Sequence, residues 1–145
     1  MIEIDKQVCS LDLAKRLKKL GVKFRPVLFW DRPGIFLPGF SNEKEEDGYE
    51  VVLLTRDVSK EEAEYIYAAY SVGELGEMLP EFIATYKAAC RNENEKWRLL
   101  SHSGTDEYNL NIENISQFSA STEADCRAKV LIYLIENGYV RVEYL

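Results

Sequence analysis

The stretch EADCRAKVLIYLIENGY (123–139) constrains the fold more than any other part of the sequence. At 100° per residue, only Asp125, Lys129 and Glu136 form a polar stripe, and Asp125 stands four residues before Lys129 as a favourable ion pair. The opposite arc consists of Ala124, Ala128, Leu131, Leu134 and Ile135. A helix with so broad an apolar surface is stable when it is buried, so the sequence predicts a helix laid across a sheet.

Both ends of this helix carry boundary residues. Thr122 is a candidate N-cap, and Gly138 stands at the left-handed position that commonly ends a helix. Val140, Val142 and Tyr144 then alternate with other residues, which predicts a terminal strand.

A second helix is predicted near residues 10–20, in SLDLAKRLKKLGV. Ser10 is a candidate N-cap and Gly21 a candidate C-terminal stop. One face of this amphipathic helix is apolar and carries Leu13, Ala14, Leu17 and Leu20.

The middle of the chain indicates a hairpin and a short helix. VLFW (27–30) and YEVVLLT (49–55) predict two strands, joined by a turn-rich, acidic loop or insertion at 32–48. Residues 60–70 combine a helix capping box with strand-favouring tyrosines, so the sequence leaves helix and strand open there. A second capping box followed by Pro80 predicts a helix over 72–79.

A polar turn separates two further strand patterns, FIATYKAAC (82–90) and WRLLSHSG (97–104). With a third strand at 108–112 they predict an antiparallel meander with one apolar face. The expected fold is therefore a single α+β domain of 145 residues. In it, the long C-terminal helix packs on the sheet and an amphipathic helix lies near the N-terminus.

The charge of the chain is unevenly distributed. Residues 6–32 carry eight basic and two acidic residues, whereas residues 33–145 carry ten basic and 21 acidic ones. Such an uneven distribution of charge is a hint about the kind of partner that a chain binds. The basic residues of the first helix either lie against an acidic face of the same fold or bind an anionic partner; they are Lys15, Arg16, Lys18 and Lys19. Because the net charge is −7, nucleic-acid binding is the alternative rather than the leading interpretation.

Two other features depart from their surroundings. Phe36 and Phe40 belong to the apolar, turn-rich segment PGIFLPGF, which either folds over the core or forms a patch for a partner. Arg127 falls within the apolar arc of the last helix. Either its guanidinium points inward to a carboxylate or anionic ligand, or its stem is packed and its charged end is hydrated.

Three motifs together resemble an uncharacterised family of small phage- or prophage-type bacterial proteins. In order they are SLDLAKRLKKLGV with LFW, SVGELGEMLP, and TEADCRAKVLIYLIENG, and they cover about a third of the chain. The resemblance implies a mobile-element origin and a cytoplasmic location, but no established activity, cofactor or catalytic residue. The segment DRPGIFLPGFSNEKEEDG departs from the family pattern.

Several chemistries lack the residues they need. With His102 as the sole histidine and no paired cysteine spacing, a zinc site has too few ligands, so neither a metal nor a cofactor is expected. A Cys90–His102 pair is disfavoured because the expected strand faces separate the two side chains. No phosphate-binding glycine loop, membrane span or secretory leader is recognisable. The sequence therefore predicts a non-enzymatic accessory protein that binds another macromolecule, with protein favoured over nucleic acid as the partner. An enzyme using an unrecognised acidic site is a further alternative.

Overall fold

The computed structural model describes residues 4–32, 48–55, 57–80, 83–89, 95–101 and 119–145. Helices α1 to α4 span Leu11–Lys19, Lys60–Ala63, Val72–Met78 and Glu123–Glu136. Strands β1 to β6 span Phe29–Asp31, Glu50–Val52, Tyr67–Ala68, Ile83–Ala89, Glu95–Ser101 and Ser119–Ala120. Short 3₁₀ helices occupy Ile4–Lys6 and Val142–Tyr144.

The first sheet has the antiparallel order β2-β1-β3. The predicted hairpin is confirmed, since Trp30 pairs with Val51 across β1 and β2. Residues 60–70, for which the sequence left helix and strand as alternatives, contain a short helix followed by a strand. Ser59 caps the single turn of α2 by accepting from the Glu62 amide, and the chain then enters β3, where Tyr67 pairs with Trp30.

The second sheet has the order β4-β5-β6, and all its pairings are antiparallel. The hairpin of β4 and β5 is confirmed, since Tyr86 pairs with Arg98 and Trp97 pairs with Lys87. On its other edge β5 pairs with β6, and the predicted strand at 108–112 lies outside the described residues.

Helix α4 is the centre of the core, as the sequence predicts. It begins after Thr122, whose hydroxyl accepts from the Asp125 amide, and ends before Gly138, whose φ of 77° is left-handed. Its fully buried residues include Ala124, Cys126, Ala128, Val130, Leu131 and Leu134. The helix lies against β4, β5 and β6 on one side and against α1 and α3 on another. The predicted α+β fold is thereby confirmed.

Helix α1 is joined to α4 at its first residues. Ser10 caps α1 by accepting from the Leu13 amide, and the Ser10 amide donates to the Asp125 carboxylate at 2.7 Å. Asp125 therefore binds the start of α1 across the core. Leu13 and Leu17 are buried, which confirms the predicted apolar stripe.

The predicted terminal strand is wrong. Residues Val142–Tyr144 form a 3₁₀ turn, in which the Tyr144 amide donates to the Arg141 carbonyl and the Leu145 amide to the Val142 carbonyl. The alternating pattern reflects packing of Val140 and Val142 against the helical core, and no strand of the described chain pairs with this segment.

Candidate functional site

The basic residues of α1 are held largely by contacts within the fold. The Arg16 guanidinium lies 3.1 Å from the Glu136 carboxylate at the end of α4, and both side chains are about half exposed. An ion pair this exposed contributes little to stability. Cations are also favoured near the C-terminal end of a helix, where Arg16, Lys18 and Lys19 stand. Lys19 is exposed.

Lys18 binds backbone rather than an acidic face. Its ammonium donates to the carbonyls of Ala63 and Ile66, at 2.5 and 2.9 Å. Desolvation of this ammonium lowers the pKa of Lys18, an effect that nearby Glu64 partly opposes. Lys18 thus joins α1 to the segment between α2 and β3.

A cation–aromatic cluster lies beside this contact and consists of Lys15, Lys18, Arg32, Tyr49 and Tyr67. The Lys18 nitrogen is 4.9 Å from the centre of the Tyr67 ring, and the Lys15 nitrogen is 5.7 Å from the same point. The Tyr49 ring lies 5.8 Å from Lys15 and 6.0 Å from Arg32. These distances allow cation–π attraction, so the rings already hold cations of the same chain.

Two charged residues in this region were missed by sequence reasoning. Asp31 and Arg32, which follow the apolar run of β1, are only 6% and 3% exposed. A buried charge is costly unless it is compensated, and the Tyr49 ring faces Arg32. The only sign of these residues in the sequence was the abrupt change from VLFW to DRPG. The same change is typical of a solvated turn, so it did not indicate burial.

The Arg127 guanidinium is held by two groups of the same chain. It donates to the Val72 carbonyl and to the Glu123 carboxylate, each at 3.0 Å. A Cβ atom on Gly76 would clash with the Arg127 Nη1 atom. Arg127 is therefore a clamp between α4 and the start of α3, and Gly76 provides the space for it.

Cys9 and Cys126 are fully buried thiols. Burial raises the pKa of Cys9 to about 12 and that of Cys126 to about 11. The thiolate is the reactive form of cysteine, so burial and protonation together make both residues inert.

This inertness predicts the pattern of alkylation. At about pH 8, iodoacetamide should leave Cys9 and Cys126 of the native protein unlabelled and should label both in urea, as read by peptide mass spectrometry. Labelling of Cys9 in the native protein as fast as in urea would contradict the prediction.

The described part of the chain also forms a concave groove that sequence reasoning missed. Its volume is about 500 Å³. We call it the C-terminal groove; it is lined by Met78, Leu79, Pro80, Gly138, Tyr139, Val140, Arg141, Tyr144 and Leu145.

Local chain geometry produces this groove. Leu79 leaves α3 in an extended conformation and Pro80 prevents the helix from continuing. On the other wall, the amides of Tyr139 and Val140 both donate to the Leu134 carbonyl, so the chain turns back over the end of α4. Pro80 and the alternating apolar residues after Gly138 were visible in the sequence, but their approach depends on tertiary packing.

One ring stands out in this groove. Tyr144 is 79% exposed, whereas Met78 and Leu79 beneath the opposite wall are 5% and 7% exposed. The groove therefore has a packed apolar base and an exposed aromatic rim.

The remaining candidate residues from the sequence cannot be placed. Phe36, Phe40, Cys90 and His102 lie outside the described residues. Within the described ranges, no group of three or more histidine, cysteine or acidic residues could hold a metal ion. No helix there is both long and apolar enough to cross a membrane.

Comparisons with protein-family models, with curated proteins and with solved structures found no match to this chain. The resemblance to a phage-type family therefore stays a prediction.

Proposed function

We propose that this chain is a non-enzymatic accessory protein of phage or prophage type that acts in the cytoplasm by binding another protein. The observation that carries the proposal is the C-terminal groove with its exposed Tyr144. The three sequence motifs support the phage-type origin, and the groove supports the mode of action.

The size and lining of the groove suit side chains of a partner. Ligand sites commonly have volumes of roughly 300–1,000 Å³, and the C-terminal groove falls within that range. Tyrosine is enriched among residues that dominate binding energy, because its ring buries a large apolar area at small entropic cost. An exposed Tyr144 above an apolar base is suited to pack against an inserted side chain.

A photo-crosslinking experiment tests this function. The photoreactive residue p-benzoylphenylalanine replaces Tyr144 in one variant and Val27 in the other. Val27 is 66% exposed, and its amide donates to Glu74 in the first turn of α3, at the opposite end of that helix from the groove. After irradiation in the native host, adducts are identified by mass spectrometry.

We expect a discrete protein adduct from position 144 that position 27 does not give. The identified protein should then bind the purified chain, and Tyr144→Ser should weaken that binding by roughly tenfold or more, as expected for a central aromatic residue. Equal adducts at both positions, or purified binding that Tyr144→Ser leaves unchanged, would reject the groove as the binding site.

Nucleic-acid binding through α1 is the weaker candidate. Arg16 is paired with Glu136, and Lys15 and Lys18 lie over tyrosine rings. Few cations are left to displace counterions from phosphates, and the salt dependence and strength of duplex binding scale with such contacts.

The chain should accordingly give no electrophoretic shift of duplex DNA in about 0.15 M salt at micromolar protein. Binding that persists at this salt concentration and disappears in a Lys19→Glu, Lys23→Glu, Arg25→Glu variant would support the rival function. These three residues are exposed, so their reversal leaves the core intact.

A further inference from the structure

The charges around the C-terminal groove indicate what kind of segment fits it, an inference that rests on the proposed function. We propose that the groove binds a partner segment that presents a large apolar side chain next to an acidic residue. The apolar side chain enters between Leu79 and Tyr144, and the carboxylate pairs with Arg141.

Arg141 is the one charged side chain that lines the described groove. It is exposed, precedes the 3₁₀ turn, and makes no capping hydrogen bond with its side chain. No carboxylate in the described part of the chain pairs with it, in contrast to Arg16 with Glu136 and Arg127 with Glu123. An exposed guanidinium can take a ligand carboxylate through two parallel hydrogen bonds.

The positive charge of Arg141 has a physical consequence for selection of partners. A complementary charge at the edge of an apolar site raises the association rate and suppresses partners of the wrong sign. A basic apolar segment would meet Arg141 at close range, whereas an acidic one would neutralise it. The groove should therefore distinguish partner segments by the sign of the charge on the residue next to the inserted apolar side chain.

Selection from a phage-displayed library of random peptides tests the inference. The library is panned on the purified chain and, in parallel, on Tyr144→Ser, Arg141→Glu and Lys60→Glu. Lys60 is exposed on α2 and does not line the groove, so Lys60→Glu is a matched control that changes the net charge as much as Arg141→Glu does. Circular dichroism and thermal melting confirm that each variant is folded.

We expect enriched peptides with an aromatic or aliphatic residue beside aspartate or glutamate. Their binding should fall roughly threefold to tenfold in Arg141→Glu, should be lost in Tyr144→Ser, and should be unchanged in Lys60→Glu. Apolar peptides that need Tyr144 but show neutral or basic neighbours would overturn this inference and leave groove binding intact. No enrichment that depends on Tyr144 would overturn both proposals.

Discussion

Replacing Leu131 by alanine should lower the free energy of unfolding by about 2–5 kcal/mol, the range found for large-to-small changes in packed interiors. Leu131 has no exposed surface and belongs to the core cluster that also contains residues of α1 and α3. The cavity would open where three helices meet, which limits how far the surroundings can relax. Urea denaturation followed by circular dichroism measures the loss.

Lys129→Ala provides the matched control on the same helix. Lys129 is only partly buried, and substitution there should cost well under about 1 kcal/mol. Similar losses for Lys129→Ala and Leu131→Ala would mean that the buried face of α4 is not the one described.

The effect of Gly76→Ala on the free energy of unfolding should change sign with the residue at position 127. With Arg127 present, an added Cβ would displace the guanidinium from Val72 and Glu123, at a cost of about 1.5–3 kcal/mol for charged hydrogen bonds. Alanine in a helix gains only about 1 kcal/mol over glycine, so the net effect is destabilising. In an Arg127→Ala background the clash is absent, and the same substitution should stabilise by up to about 1 kcal/mol.

A double-mutant cycle measures this coupling, which we expect to be roughly 2 kcal/mol. Gly73→Ala is the control within α3, because a Cβ there would meet only the Ser71 hydroxyl at 4.0 Å. It should be neutral or stabilising in both backgrounds. An effect of Gly76→Ala that is the same with and without Arg127 would show that the two residues do not constrain each other.

The parts of this fold that the sequence predicted are those encoded by local chemistry. Ser10, Ser71 and Thr122 cap their helices as their side-chain hydroxyls suggest, and Gly21 and Gly138 adopt left-handed conformations. The apolar arc of α4 was also legible, because apolar residues that repeat with a helical period over four turns seldom form anything but a helix.

The parts that the sequence did not predict depend on partners distant in the chain. The strand register that pairs Trp97 with Lys87 is set between elements, and alternation within one strand does not specify it. The run after Gly138 alternates like a strand, yet its apolar residues pack on helices. The C-terminal groove is likewise absent from the sequence pattern, because it arises only where α3 and the end of α4 meet.

The same dependence applies to Arg127. Its position within the apolar arc was visible, but its two acceptors come from different elements, Val72 at the start of α3 and Glu123 on its own helix. Gly76, which makes room for the guanidinium, looked like an ordinary glycine in a short helix. Comparing the sizes of residues that face each other across the two helices would have identified Gly76. Which residues face each other is known only once the helices are packed.

The hydrogen bond between the Ser10 amide and Asp125 also bears on how the protein is made. These groups are 115 residues apart, and translation proceeds at roughly 5–20 residues per second, so roughly 6–23 s separate the synthesis of the first from that of the second. Throughout that interval the apolar stripe of α1, with Leu13 and Leu17, has left the ribosome without the helix that covers it. The nascent chain is thus exposed to aggregation early, and assembly of this core awaits the synthesis of α4.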